Sequence, residues 1–214
     1  MPDPADHPRN SVGILAYGSL IADPGVEIDP LIVRRIDTLT PFSVEFARIS
    51  STRGGAPTVV PHLSGRKVKA QVLVLVDSVS LAEAMDLLWR RETRNESSGK
   101  RYVESGKPNA VLVRDQSPFC GLGHVLYTDF NTEGKIAYPD PSSLADAAIT
   151  SVGRAAPGKD GISYLIGLLQ AGIETVLTSR YVAEILSRTG ACDLAAALRQ
   201  VRTALQTGLR NDQI

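Results

Sequence analysis

The chain has 214 residues, of which 43% are hydrophobic and 21% charged, and its 23 basic residues balance its 23 acidic ones. This composition is typical of a folded globular protein and disfavours a disordered chain or a long coiled coil. A net charge of zero provides no general attraction to nucleic acid or to an anionic membrane, so we expect neither as a partner.

The start of the chain differs from the rest. Residues 1–11 contain three prolines and no apolar run, which predicts a flexible leader rather than a signal peptide. We expect a single domain over residues 12–214. No apolar run approaches the roughly 20 residues of a membrane span. The spacing of Cys120 and Cys192 fits neither a redox motif nor a zinc site, and this favours reduced thiols in a cytoplasmic protein.

Strand patterns dominate the first half of the chain. Val12–Tyr17 is a short apolar run that ends at a glycine. Phe42–Ile49 alternates, with Glu45 on the face expected to be wet, and Val68–Val76 has the clearest alternation. Shorter extended segments are predicted at Thr58–Val60, Val111–Val113 and His124–Tyr127.

Helical patterns follow. Ser80 and Glu83 form a capping box, which predicts a helix from about Leu81 to about Asn95. Further helices are predicted over Ser143–Thr150, Ile162–Ala171, Thr178–Ser187 and Asp193–Thr207. Because strands come first and helices gather at the C-terminal end, we expect an α+β fold with a mixed or antiparallel sheet, not a doubly wound parallel one.

Glu92 is an ionisable residue within the apolar stripe of the first predicted helix. At ~100° per residue it falls within about 60° of Leu81, Met85 and Leu88. An unpaired buried carboxylate costs several kcal/mol. Periodicity leaves two interpretations: Glu92 faces a cleft as a general acid/base, or the helix has left the core and Glu92 meets solvent or Arg91.

Three arginines flank this glutamate. Arg90, Arg91 and Arg94 are most simply a solvated helix face. Arg91 borders the apolar stripe and is also placed to bind a substrate carboxylate.

The segment Tyr17-Gly18-Ser19-Leu20 follows the first strand. Glycine allows a tight turn whose backbone N–H groups approach a ligand, and such a nest suits a carboxylate or a developing oxyanion. A plain turn also explains it. The glycine spacing is neither that of a Walker loop nor that of a dinucleotide site.

These elements, in this order, resemble the γ-glutamylcyclotransferase-like superfamily, including its ChaC-like glutathione-degrading branch. The tetrapeptide from Tyr17 to Leu20 is similar to the family's substrate loop. Gly54–Pro61 and Val68–Val76 are similar to its glycine-rich segment and central strand, and Leu88–Glu92 to the helix end with the catalytic glutamate. Tyr127 resembles a tyrosine of the family's site. The stretch 96–121 matches no pattern of the family.

The resemblance implies an α+β fold with a mixed or antiparallel, β-barrel-like sheet and flanking helices. It implies cyclisation of a γ-glutamyl group to 5-oxoproline with release of an amine, amino acid or dipeptide. Glu92 would be the general acid/base, and the substrate, a small γ-glutamyl compound, would be bound by Tyr17, Gly18, Ser19, Leu20 and Tyr127. No cofactor is required, and the three scattered histidines predict no metal site.

Two alternatives belong to other classes of function. A non-catalytic member of the same fold would bind a small amino-acid-like ligand without releasing 5-oxoproline. An interaction module would use the C-terminal helices as a docking surface, and a final helix left unpacked would support that interpretation.

Overall fold

The computed structural model describes residues 11–211, with side chains to residue 207. Their contacts divide into two compact units. Unit 1 combines residues 11–41 with Val68–Gly134, and unit 2 combines Phe42–Lys67 with residues 135–211. The predicted leader lies outside the described residues except for Ser11, and the single domain over residues 12–214 stays a prediction.

Strands and helices are numbered along the chain. The strands are β1 (Val12–Ala16), β2 (Ile32–Leu39), β3 (Val44–Ser50), β4 (Ala56–Pro61), β5 (Lys69–Leu75), β6 (Val111–Asp115) and β7 (His124–Phe130). The helices are α1 (Leu81–Thr93), α2 (Pro141–Ser151), α3 (Gly161–Gln170), α4 (Thr178–Thr189) and α5 (Leu194–Asn211). The α+β class is confirmed: α1 lies between β5 and β6, and the other four helices follow the last strand.

Unit 1 is built on a five-stranded sheet with the order β2-β5-β1-β7-β6. Neighbouring strands are antiparallel except β1 and β7, which run parallel, so the sheet is mixed as predicted. In the described residues this sheet is open, with β2 and β6 at its edges, and does not close into a barrel. Because β1 and β7 are parallel, their C-terminal ends lie at the same end of the sheet, and the chain leaves both strands there.

Helix α1 covers one face of this sheet. Its N-terminus is capped as predicted, since the Ser80 hydroxyl accepts the Glu83 N–H at 3.2 Å. The helix buries Ala84, Leu87 and Leu88 in a core that includes residues of β1, β5 and β7. It ends two residues before the expected Asn95, because Arg94 adopts a left-handed conformation with φ of 55°.

Strand β2 was not predicted from the sequence. Its consecutive arginines, Arg34 and Arg35, interrupt the apolar alternation that marks a strand. The strand lies at the sheet edge, where one side needs no neighbour, and it pairs with β5 through a register irregularity between Ile32 and Arg34. Long-range pairing therefore specifies this element more than its own pattern does.

Unit 2 contains the antiparallel ribbon of β3 and β4 together with helices α2 to α5. Helices α2 and α3 pack against β4, and a β-carbon at Gly161 would lie 2.8 Å from Ala148 Cα, so the start of α3 approaches α2 too closely for a side chain. Helix α5 packs on α3 and α4 and buries Leu194 and Ala197. The unpacked final helix that would favour a docking module is therefore not observed.

The prediction that Glu45 lies on a wet strand face is wrong. Its side chain is fully buried. One carboxylate oxygen accepts the Phe46 N–H at 2.9 Å, and the other accepts the Leu177 N–H at 3.2 Å. Leu177 precedes α4, so the carboxylate caps that helix and meets the positive end of its dipole. The Glu45 carboxylate is therefore hydrogen-bonded inside the protein, whereas the alternation of the strand alone predicts that it meets solvent.

Among the described residues, no helix combines the length and the apolarity needed to cross a membrane.

Candidate functional site

The segment after β1 turns sharply and leaves backbone donors unused. Gly18 has φ of 89°, a conformation that favours glycine. The turn is closed by hydrogen bonds from Ile21 N–H to Gly18 O (3.3 Å) and from Asp23 N–H to Ser19 O (2.9 Å). Within residues 11–211, the N–H groups of Gly18, Ser19 and Leu20 make no hydrogen bond. These donors are the ones that the sequence assigns to a ligand.

Two side chains anchor this loop to unit 1. Leu20 is buried in the core beneath α1. The Tyr17 hydroxyl donates a 2.7 Å hydrogen bond to the Thr128 carbonyl of β7, and the Tyr17 side chain is buried. The structure thus uses the Tyr17 phenol to hold the loop against the neighbouring parallel strand.

Glu92 lies in the last turn of α1, to one side of the buried stripe. That stripe is centred on Ala84, Leu87 and Leu88. At ~100° per residue, Glu92 is about 80° from its centre, so it borders the stripe in which the sequence placed it. The Glu92 side chain is 20% exposed, and its Oε1 accepts a 2.6 Å hydrogen bond from Arg91 Nη1. Glu92 therefore contacts Arg91 while it remains largely buried, and its role as the general acid/base stays a prediction.

Arg91 joins Glu92 to the loop. While Nη1 donates to Glu92, Nη2 donates to the Asp23 carbonyl at 2.5 Å and lies 3.4 Å from Ser19 Oγ. The Arg91 side chain is 12% exposed. One guanidinium thus brings the carboxylate and the loop into a single cluster.

Arg90 forms a second link between α1 and the chain that follows the loop. Its Nε donates to Glu27 Oε2 at 2.9 Å, and its Nη1 donates to the Lys100 carbonyl at 2.9 Å. The guanidinium beside Glu27 lowers the pKa of that carboxyl below its usual range, against the opposing effect of burial. The prediction of a solvated arginine face is wrong for Arg90, which is buried, and holds only for the exposed Arg94.

Gly25 permits the chain that follows the loop to approach α1 closely. It has φ of 93°, and a β-carbon there would lie 2.8 Å from Arg91 Cγ and would also collide with Glu96 Oε1. Glu96 Oε1 also accepts the Val26 N–H at 2.8 Å. The segment 96–121, which matched no motif, therefore contributes a contact that supports the loop.

Tyr127 lies on the face of the sheet opposite to the core beneath α1. It alternates along β7 with Leu126, whose side chain belongs to the core beneath α1, so the Tyr127 ring lies on the opposite face of the sheet. Burial raises the pKa of Tyr127, with a further contribution from the Asp129 carboxylate and an opposing one from Arg114. The structure joins Glu92 to the loop through Arg91, and the contact of Tyr127 with substrate stays a prediction.

Other reactive side chains have local partners. His124 opens β7, and its Nδ1 lies 2.6 Å from Asp115 Oδ2. His62 Nδ1 lies 2.8 Å from Ser64 Oγ. Cys120 and Cys192 are free thiols. In the part of the chain that the structure describes, no group of three or more His, Cys, Asp or Glu side chains is arranged to hold a metal ion.

Three residues that organise this site were not predicted from the sequence: Asp23, Gly25 and Glu27. Each follows the recognised tetrapeptide at a distance that no motif specifies. The consecutive arginines before Glu92 were the available signal, because buried guanidinium groups require acceptors from some other part of the chain.

Comparison with known proteins adds little to this geometry. No family model matches the chain, and no curated protein matches it by sequence. Among solved structures, the chain is similar to a yeast γ-glutamyl cyclotransferase specific to glutathione, with a TM-score of 0.45 and 13% sequence identity over 91% of this chain and 99% of that one.

Proposed function

We propose that this protein is a cofactor-independent γ-glutamylcyclotransferase-like enzyme that converts a γ-glutamyl group into 5-oxoproline. One observation supports the proposal most directly: the loop with unused N–H donors and Glu92, which the sequence resemblance assigns to substrate binding and catalysis, meet through Arg91. These two segments are 72 residues apart along the chain, as measured from Ser19 to Arg91.

The reaction is an intramolecular aminolysis. The free α-amine of the glutamyl group attacks its own γ-carbonyl carbon, a C–N bond forms, and the bond to the leaving nitrogen breaks. In passing from an α-ammonium to a ring amide, the attacking nitrogen loses two protons. Glu92 takes one and delivers it to the leaving nitrogen, and the other goes to solvent.

The loop supplies the complementary electrostatic function. As the γ-carbonyl carbon becomes tetrahedral, its oxygen acquires negative charge. The N–H groups of Gly18, Ser19 and Leu20 would stabilise this charge because they are fixed donors that need no reorganisation. Tyr17 would keep the loop in place through its bond to Thr128.

Product identity tests this proposal. Purified protein would be incubated with glutathione, several γ-glutamyl amino acids and several γ-glutamylamines, and 5-oxoproline and free glutamate would be quantified. We expect 5-oxoproline from at least one class. Free glutamate without 5-oxoproline would indicate hydrolysis and contradict the cyclisation.

The Arg91–Glu92 ion pair favours a second candidate function. A carboxylate that is already engaged by a guanidinium is suited to recognising a zwitterionic ligand, with or without turnover. In that case the protein binds γ-glutamyl compounds but releases no product. Calorimetric binding together with the absence of 5-oxoproline would identify it.

A further inference from the structure

The charges of Arg91 and Glu92 have the reverse arrangement of an amino-acid head group. Guanidinium and carboxylate lie side by side, 2.6 Å apart, with side chains 12% and 20% exposed. An α-amino acid carries a carboxylate and an ammonium group on one carbon. Each charge of such a head group therefore has a partner of opposite sign in this pair.

We propose that Arg91 binds the α-carboxylate of the γ-glutamyl substrate while Glu92 receives its α-ammonium group. This assignment rests on the proposed function and names the substrate feature that the site selects: a glutamyl head with both α-groups unblocked. On binding, the ion pair within the protein is exchanged for two ion pairs with the substrate. The exchange also places the attacking nitrogen at Glu92, the group that takes its proton.

Arg91 is held in position for this role by groups that the substrate does not need to displace. Its Nη2 donates to the Asp23 carbonyl at 2.5 Å, which fixes the guanidinium beside the loop. A guanidinium has five N–H donors. Within the described residues its nitrogens donate to Glu92 Oε1 and Asp23 O and lie 3.4 Å from Ser19 Oγ, and the Asp23 carboxylate is 4.0 Å away, beyond hydrogen-bond distance. Donors therefore remain for a carboxylate, which planar guanidinium groups bind well.

The same assignment gives substrate recognition and transition-state stabilisation to different groups. If the α-carboxylate lies on Arg91, the unused N–H groups of Gly18, Ser19 and Leu20 are left for the γ-carbonyl oxygen. Ground-state recognition and stabilisation of the developing charge then depend on different groups. Loss of Arg91 should weaken selection of the head group without removing the acid/base residue.

A paired-substrate experiment tests the assignment. One substrate is a γ-glutamyl compound that the wild type turns over, and the other is the 4-aminobutanoyl compound with the same leaving group, which lacks only the α-carboxylate and cyclises to 2-pyrrolidinone. The ratio of their kcat/KM values is measured for wild type, Arg91→Met and Arg91→Lys. Arg94→Met, the same substitution at an exposed neighbour, is the control.

We expect the wild type and the control to prefer the γ-glutamyl compound by roughly 10- to 100-fold, the range for a hydrogen bond between charged groups. In Arg91→Met the ratio should fall to about threefold or less, and Arg91→Lys should retain part of it because the positive charge remains. An Arg91→Met enzyme that keeps the wild-type ratio overturns the assignment. If Arg91→Met does not fold, a wild-type ratio in Arg91→Lys overturns it as well.

Calorimetry separates failure of this inference from failure of the proposed function. If the wild type binds the γ-glutamyl compound in preference to its 4-aminobutanoyl analogue, and loses that preference in the Arg91 variants, yet releases no 5-oxoproline, the assignment stands and the enzymatic proposal falls. Neither binding nor turnover of any γ-glutamyl compound overturns both.

Discussion

Removal of the Arg90–Glu27 ion pair should destabilise unit 1. Arg90→Met keeps an apolar stem but loses two 2.9 Å hydrogen bonds, to the Glu27 carboxylate and to the Lys100 carbonyl. The side chains of Arg90 and Glu27 are 10% and 20% exposed, so this ion pair is intermediate between a surface pair and a fully buried one. A surface ion pair contributes about 0–1 kcal/mol, and disruption of a buried pair costs about 3–5 kcal/mol. We expect Arg90→Met to lower the free energy of unfolding by about 2–4 kcal/mol.

Urea denaturation of a double-mutant cycle with Glu27→Gln isolates the pair. The coupling energy at pH 7 should be about 1–2 kcal/mol, whereas the exposed control Arg101→Met should change stability by less than about 0.5 kcal/mol. The pKa of Glu27 is lowered from its usual 4.5 in the folded protein. The coupling is therefore present above pH 4.5 and is lost as the pH falls through the folded-state pKa. Additive effects at pH 7, within about 0.3 kcal/mol, would refute the reasoning.

Two further substitutions probe the backbone and the core. Gly25→Ala should cost about 1–3 kcal/mol in a urea titration, because alanine is strained at φ of 93° and its β-carbon meets the Arg91 side chain; unchanged stability would contradict this. Tyr181→Phe should leave stability unchanged or raise it by up to about 1 kcal/mol, because within the described residues the buried Tyr181 hydroxyl has no hydrogen-bond partner. Its edge-on ring contact with Phe46, at 5.0 Å between centroids, is retained in that variant. A loss above about 1 kcal/mol on thermal or urea unfolding would show that the hydroxyl has a partner.

The sequence predicted elements whose patterns are local. Strand β1 is apolar throughout and lies at the sheet centre, and the cap of α1 by Ser80 is a local hydrogen bond. Strand β2 was missed because its pairing with β5 and its edge position, not its composition, make it a strand. Glu45 was misplaced because its partner, the Leu177 N–H, is 132 residues away.

In the candidate site, too, features with a local pattern were predicted and features that depend on long-range contacts were not. The tetrapeptide from Tyr17 to Leu20 and Glu92 could be singled out from residue type, periodicity and the family resemblance. Their connection through Arg91 could not, because the helical wheel reports direction around one helix and not what lies beside it. The helical wheel also predicted that Arg90 faces solvent, because it does not show that Glu27, from another part of the chain, pairs with it.

The most direct test of the central claim compares Glu92→Gln with Glu83→Gln in the release of 5-oxoproline from the best γ-glutamyl substrate. Both substitutions replace a carboxylate with an amide on α1, but Glu83 is exposed in the first turn of the helix. If Glu92 transfers the proton, Glu92→Gln should lower kcat by roughly 10²–10⁴-fold while the urea midpoint changes little, and Glu83→Gln should keep wild-type turnover. A folded Glu92→Gln enzyme with wild-type kcat would contradict the account.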